Sequence, residues 1–187
     1  MQKLTKKELR RIYIQKRRET EDKEHRDERI FANLISLDVY KTSDVLLCYA
    51  SKDGEVKTDG IIEYSLSVGK RVALPYCKDK KGNMDFYFIK ALDELTLGYY
   101  DIRQPDINTS EKVSDFENAL LVVPALCYRA DGFRLGYGGG YYDRFIEKYG
   151  VRCVGLCYES LITEEIPVEE YDRRVDYIVT ENGIIRV

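Results

Sequence analysis

The sequence predicts an α/β protein: a mainly parallel β-sheet covered on both faces, with a helical pair at its N-terminus. Two observations carry this. Several short runs, Leu120-Leu121-Val122-Val123-Pro124 above all, are apolar at every position, as strands buried on both faces are. These runs alternate with segments of helical periodicity, the pattern of strand-helix-strand crossovers.

Residues 5–37 read as the helical pair, because Ile30, Phe31, Leu34 and Ile35 recur at helical spacing behind strong helix formers. Residues 45–50 read as the first strand, ended by the turn-forming 51–54. Ile61, Ile62 and Leu66 then mark an amphipathic helix closed by Gly69. Residues 72–76 are the second strand, and 84–89 a third after the Lys80-Lys81-Gly82-Asn83 turn. From 92 to 114 the chain carries Gly98, Pro105 and little periodicity, and is expected to be loop. The run 120–124 leads through a glycine-rich loop into a helix aligning Tyr142, Phe145, Ile146 and Tyr149 on one face. Residues 154–158 and 177–180 supply further strands, and 183–187 a terminal one.

A chain of 187 residues, 44% hydrophobic and 34% charged, is expected to fold as one domain spanning 1–187. Lys and Arg number 30 against 33 Asp and Glu, and a net charge of −3 gives no basis for sequence-independent nucleic-acid binding. No apolar stretch has bilayer length, and the start (Met1-Gln2-Lys3-Leu4-Thr5-Lys6-Lys7) has no secretory core, so the expectation is a cytoplasmic protein without a membrane partner. Of five cysteines, Cys48, Cys127, Cys153 and Cys157 sit in or beside apolar runs as small buried side chains. Cys153 and Cys157 lie about 13 Å apart along a strand, so neither a disulfide framework nor a zinc site is indicated. The single histidine, His25, stands in a charged run that forms a solvated helix face. That removes Ser-His-Asp, Cys-His and paired-histidine zinc chemistry.

The chemistry centres on Arg134-Leu135-Gly136-Tyr137-Gly138-Gly139-Gly140-Tyr141-Tyr142-Asp143-Arg144. Its glycines permit positive φ and close backbone approach, so successive N–H groups can converge on an anion before a helix N-terminus. It lacks the Lys-Ser/Thr of a Walker A loop, and Tyr141 stands where a dinucleotide fingerprint needs its third glycine. A flexible turn is the plainer reading of the same residues. The strand-loop-helix context favours a phosphate cradle.

Asp143 in the first helical turn complements the helix dipole. If phosphates share that helix end, Mg²⁺ between Asp143 and their oxygens relieves the repulsion, with Asp172 or Asp176 as a second ligand. Arg134 and Arg144 flank the loop, and Lys6 and Arg10 fall one turn apart on the first helix. Each pair can bring positive charge to a triphosphate. Glu55, in Ser51-Lys52-Asp53-Gly54-Glu55-Val56-Lys57-Thr58, is either an acid at a helix start or a holder of heterocyclic N–H donors.

With this loop, Glu55-Val56-x-Thr58 and Lys6-Lys7-Glu8-Leu9-Arg10, nearly the whole chain resembles the 5-formyltetrahydrofolate cyclo-ligase family in its bacterial form. The resemblance implies a three-layer α/β/α fold, a monomer, and conversion of 5-formyltetrahydrofolate to 5,10-methenyltetrahydrofolate with ATP and Mg²⁺. By position, Lys6, Lys7, Glu8, Leu9, Arg10 and the stretch from Arg134 and Leu135 through Gly136, Tyr137, Gly138, Gly139, Gly140, Tyr141 and Tyr142 would contact ATP. Arg134 and Arg144 would be the catalytic cations and Asp143 and Asp172 the magnesium ligands. Ala50, Glu55, Tyr137 and Tyr141 would border the reduced folate. The sequence departs from many relatives at Leu161, Tyr171 and Asp101-Ile102-Arg103-Gln104-Pro105, where they carry Gln, His and Gly-Ile-x-Glu-Pro. Two other functions share the phosphate loop: a non-catalytic nucleotide or phosphometabolite sensor, and a ligase or kinase acting on another formamide or carboxylate.

Overall fold

The computed structural model describes residues 4–79, 81–98 and 102–187. Met1, Gln2, Lys3, Lys80 of the expected turn and Asp101 lie outside the described residues.

Helix α1 (Lys6–Arg18) begins at a reciprocal capping box. The Glu8 amide donates to the Thr5 hydroxyl at 3.3 Å and the Thr5 amide to the Glu8 carboxylate at 2.8 Å. Leu9 and Tyr13 of α1 are buried, as are Ile30 and Leu34 of α2 (Lys23–Ser36). Each such apolar side chain contributes roughly 1.5–3 kcal/mol by leaving water. A short α3 (Asp38–Thr42), too brief for periodicity to reveal, leads to the sheet. Then follow β1 (Val45–Leu47), α4 (Asp59–Ser67), β2 (Arg71–Cys77), β3 (Met84–Ile89), β4 (Thr96–Leu97), β5 (Arg103–Gln104), β6 (Ala119–Val123), β7 (Cys127–Tyr128), β8 (Arg134–Leu135), α5 (Tyr141–Tyr149), β9 (Arg152–Leu156), β10 (Tyr177–Thr180) and β11 (Gly183–Arg186).

Seven strands form one sheet in the order β11-β10-β9-β6-β1-β2-β3. The inner strands from β10 to β2 pair parallel, and β3 and β11 close the edges antiparallel. The mainly parallel expectation holds, and for the expected reason: β1 and β6 are buried at every position. From β1 the chain steps to β2 through α4, whereas from β6 it steps the other way to β9 through α5. Right-handed crossovers therefore set α4 and α5 on opposite faces, giving three layers. Phe31 of α2 meets Tyr64 of α4 edge-on at 5.3 Å, and on α5 Phe145 packs on Phe86 at 4.9 Å.

Strand order reverses between β1 and β6, and a crevice opens beyond the carboxyl ends of strands at such a point. The segments carrying Glu55 and the glycine loop both leave from there. The first strand ends at Leu47 instead of residue 50, because the chain turns once the Cys48 amide has bonded the Ala73 carbonyl at 2.9 Å. The stretch 92–114 is less irregular than expected, since β4 and β5 pair antiparallel within it. The glycine-rich loop also opens with a hairpin, β7 against β8. Tyr128 of that hairpin is buried and donates to the Val123 carbonyl at 2.7 Å. Only glycine fits opposite it, since a Cβ on Gly155 would lie 2.4 Å from the Tyr128 ring.

All five cysteines are free thiols, four of them buried. Burial pushes the thiols of Cys48, Cys127 and Cys153 up to about 12, which makes them packing groups and poor nucleophiles. Among the described residues no helix is long and apolar enough to cross a membrane.

Candidate active site

Behind β1 the chain forms a closed loop. Thr58 is fully buried and donates its hydroxyl to the Tyr49 carbonyl at 2.6 Å. The Ser51 amide donates to the Thr58 hydroxyl at 3.1 Å and the Thr58 amide to the Ser51 hydroxyl at 3.2 Å. With Val56 packed in the core, this latch leaves Glu55 one place to go, inward. Glu55 is 9% exposed, and its Oε2 accepts the Lys52 amide at 2.8 Å. The helix-start reading of Glu55 is thus set aside, because α4 begins at Asp59.

The glycine loop lies opposite. Gly138 and Gly140 adopt φ of +103° and +65°, which turn the chain into α5 with Gly140 as its N-cap. Arg144 donates back to the Gly139 carbonyl at 2.8 Å, and the Tyr141 hydroxyl donates to the Asp79 carbonyl at 2.6 Å. Beneath the loop, Arg134 is buried and pairs with Asp143 at 2.8 Å while donating to the Arg173 carbonyl at 2.6 Å. The Tyr137 hydroxyl crosses the cavity and donates to Glu55 Oε1 at 2.5 Å. Burial foremost, then the Glu55 charge, holds that phenol well above its ordinary range, so it stays protonated and donating.

Helix α1 closes the third side. Arg10 donates to the Gly136 carbonyl at 2.9 Å, and its guanidinium stands 3.3 Å from where a Gly138 Cβ would be. Arg17, 8% exposed, donates to the Tyr137 hydroxyl at 2.6 Å and lies 3.9 Å from Glu55. Lys6 pairs with Asp172 at 2.7 Å and Glu169 at 2.8 Å. Burial draws the Lys6 ammonium down, but the hydrogen bonds to Asp172 and Glu169 outweigh it and leave the pKa raised. The cleft between these three sides has a volume of about 840 Å³, room for a nucleotide beside a second small molecule.

Of the residues singled out in the sequence, Lys6, Arg10, Ala50, Glu55, Asp172 and the whole run from Arg134 to Arg144 line this cavity. Lys7, Glu8 and Leu9 do not. Leu9 is buried in the core, Glu8 is spent on the capping box and Lys7 faces outward, because only every third or fourth position of a helix reaches one wall. Asp176 is used elsewhere, accepting the Cys153 amide at 2.7 Å.

The donor set fits Mg²⁺ at one carboxylate. Asp143 binds Arg134 and the Arg173 amide through Oδ1 alone, which leaves Oδ2 without a hydrogen-bond partner among the described residues. Mg²⁺ takes one or two carboxylates and completes its shell with water and phosphate oxygens. Asp172 has both oxygens on Lys6, at 2.9 and 2.7 Å, so it would serve a metal only by giving up that ammonium. Among the described residues no three His, Cys, Asp or Glu side chains gather as a metal cluster.

Sequence reasoning missed Arg17, although Lys6, Arg10 and Arg17 share a helix face by their spacing of four and seven. It also missed the apolar wall of Pro75, Cys77, Met84 and Ile102, whose convergence comes from strand pairing and leaves no local signal.

The sequence profile of the 5-formyltetrahydrofolate cyclo-ligase family matches residues 2–181. The Escherichia coli K12 5-formyltetrahydrofolate cyclo-ligase is 31% identical over 140 residues, covering 73% of this chain and 77% of that one. A probable 5-formyltetrahydrofolate cyclo-ligase of Caenorhabditis elegans is 28% identical over 179 residues, covering 88% and 86%. Among solved structures, Aquifex aeolicus 5,10-methenyltetrahydrofolate synthetase superposes with a TM-score of 0.85 at 29% identity, covering 98% of this chain and 93% of that one. The glycine loop, the buried Glu55 and the cationic face of α1 thus sit in a fold and a sequence of one kind, and the chain belongs to the 5-formyltetrahydrofolate cyclo-ligase family.

Proposed function

We propose that this chain, an enzyme of the ligase class by its family, uses MgATP to convert 5-formyltetrahydrofolate to 5,10-methenyltetrahydrofolate, releasing ADP and phosphate. The observation that supports this best is that one cavity holds both a glycine loop at a helix N-terminus and a buried carboxylate facing it, with Tyr137 joining the two.

A formamide carbon is a poor electrophile and its oxygen a poor leaving group. Transfer of the γ-phosphoryl group to the formyl oxygen turns that oxygen into phosphate ester and the carbon into an iminium. The N10 lone pair then forms the new C–N bond, the C–O bond breaks with its electrons going to phosphate, and N10 loses its proton. Such chemistry asks for alignment and charge stabilisation more than for a histidine base.

In this reading the amides of Gly138, Gly139 and Gly140 hold the β- and γ-phosphates, and Arg10, Lys6 and Arg144 offset their charge. Arg134 fixes Asp143, and Asp143 Oδ2 would hold Mg²⁺, which when bound neutralises charge on the phosphates. Glu55 accepts N–H donors of the folate heterocycle, while Ala50, Tyr137 and Tyr141 border it. We further read residues 1–187 as a single domain acting as a cytoplasmic monomer without nucleic-acid or membrane partners.

The test is direct. Purified protein, 5-formyltetrahydrofolate, ATP and Mg²⁺ should generate the absorbance of the methenyl product, and omission of ATP or the substitutions Arg134→Ala and Asp143→Ala should abolish it. Nucleotide binding without any product at high enzyme concentration would count for a sensor instead.

A further inference from the structure

One contact joins the two ends of the cavity. The Tyr137 hydroxyl donates to Glu55 Oε1 at 2.5 Å and accepts from Arg17 Nη1 at 2.6 Å, while Glu55 Oε2 accepts the Lys52 amide at 2.8 Å. Both oxygens of this buried carboxylate are engaged before any substrate arrives. A heterocycle presenting two parallel N–H donors needs both oxygens of one carboxylate edge. Each oxygen has two lone-pair sites, so the Lys52 amide can stay on Oε2, whereas the phenol, which reaches Oε1 from across the cavity, contends with such a ligand for the cavity side of the carboxylate.

We infer that Tyr137 is a positioning residue that substitutes for the folate heterocycle on Glu55, and that its withdrawal when folate binds carries the glycine loop toward its nucleotide-holding form. The inference rests on the cyclo-ligase reading above.

Three features of the cavity support it. Tyr137 is 53% exposed although its hydroxyl is tied inward, so the ring can swing out without vacating a packed core. Arg17 waits 3.9 Å from Glu55 Oε1. When the phenol leaves, this buried cation becomes the partner of the carboxylate, and neither charge is stranded. Finally, Tyr137 directly precedes Gly138 at φ +103°, so release of the phenol from Glu55 removes an anchor next to a residue with no Cβ, and the backbone there is free to re-aim the amides that follow. The same displaced loop then serves both ligands, and linkage requires each to favour the other by an equal factor.

The test uses the full chain and Tyr137→Phe, which keeps the ring and removes the hydroxyl. Calorimetry measures 5-formyltetrahydrofolate alone, a non-hydrolysable ATP analogue with Mg²⁺ alone, and each in the presence of the other. In the wild type each ligand should tighten the other about fivefold or more. Tyr137→Phe should bind the folate about threefold tighter, since an internal competitor worth one hydrogen bond is gone, and the mutual effect should shrink to less than about twofold. Steady-state kinetics should show a lower folate KM without a gain in kcat, a split that simple loss of packing does not produce. Folate binding that is unchanged or weaker in Tyr137→Phe, or a mutual effect as large as in the wild type, overturns the inference. If the wild type forms methenyl product, either result leaves the cyclo-ligase reading standing. A wild type that forms no product and binds no folate ends both.

Discussion

Arg134 and Asp143, nine positions apart on either side of the glycine loop, form an ion pair of 2.8 Å whose carboxylate oxygen also accepts the Arg173 amide at 3.0 Å. The pair pins the last residues of the hairpin to the first turn of α5, so the loop between them is clamped at both ends. Only one oxygen of Asp143 is used for this work.

That division separates two substitutions. Asp143→Ala strands the Arg134 guanidinium, whose side chain is 4% exposed, and should cost about 3 kcal/mol of stability together with activity. Asp143→Asn keeps an acceptor for Arg134 and the Arg173 amide but removes the charge offered to a metal. It should unfold within a few degrees of the wild type while turnover falls roughly 100-fold, partly restored by higher Mg²⁺. Thermal unfolding beside the product assay decides. An asparagine variant with full turnover would remove Asp143 from the metal site.

Lys6 tests the nucleotide end. Its ammonium is held by Glu169, which is half exposed, and by Asp172, in a pair whose side chains are only 17% and 16% exposed. Lys6→Met should therefore cost on the order of 1–2 kcal/mol of stability, and raise the KM for ATP about tenfold by losing one charge-assisted contact to phosphate. The KM for folate should not move. Equal rises in both constants would show that Lys6 shapes the cavity as a whole.

The fold is legible in the sequence wherever burial writes a pattern. Residues 119–123 are apolar because both faces of β6 are covered, and Ile61 and Ile62 repeat because α4 buries one side. The glycine loop is legible for a similar reason, since glycine is the residue that adopts the positive φ of Gly138 and Gly140 with least strain. What the sequence hides depends on contacts between distant segments. Glu55 looks like an ordinary acid until the Ser51–Thr58 latch turns it inward, and Arg17 looks like a surface cation until α1 folds across the loop. Lys7 and Glu8 show the opposite case, in which a run of charged residues beside Lys6 reads as one binding motif although the helix leaves them exposed and off the cavity lining.

Asp27 offers a prediction on pH. It is buried, its Oδ1 accepts the Tyr158 hydroxyl at 2.8 Å, and Oδ2 has no partner among the described residues. Burial raises its carboxyl above the ordinary 3.8, against the opposing pull of Tyr158, the Lys57 amide and the charges of Lys57 and Lys23. The folded state thus holds this proton more tightly than the unfolded chain. Stability from this group is full below 3.8 and is lost as pH rises through the elevated value. Compared with Asp27→Asn, the wild type should gain in Tm as the pH is lowered from neutrality toward the ordinary carboxylate range. Parallel melting curves for the two proteins across that range would show that Asp27 titrates as it does in the unfolded chain.

Gly138 gives the sharpest test of the loop itself. A side chain at φ +103° is strained whatever space surrounds it, and here the new Cβ would also press to 3.3 Å against the Arg10 guanidinium. The strain costs about 1–2 kcal/mol, which Gly138→Ala can shed only by reshaping the backbone that presents the amides. Stability should fall by that modest amount while the KM for ATP rises well over tenfold, because several amide contacts move together. Gly60 supplies the comparison. It lies in the first turn of α4, where an added Cβ would meet nothing within 4 Å and φ is not positive, so Gly60→Ala should be neutral or gain up to about 0.5 kcal/mol, less than at a helix interior, and leave both KM values where they were. If Gly138→Ala binds ATP as the wild type does, the triphosphate is gripped by side chains, and the glycines serve only to make the turn.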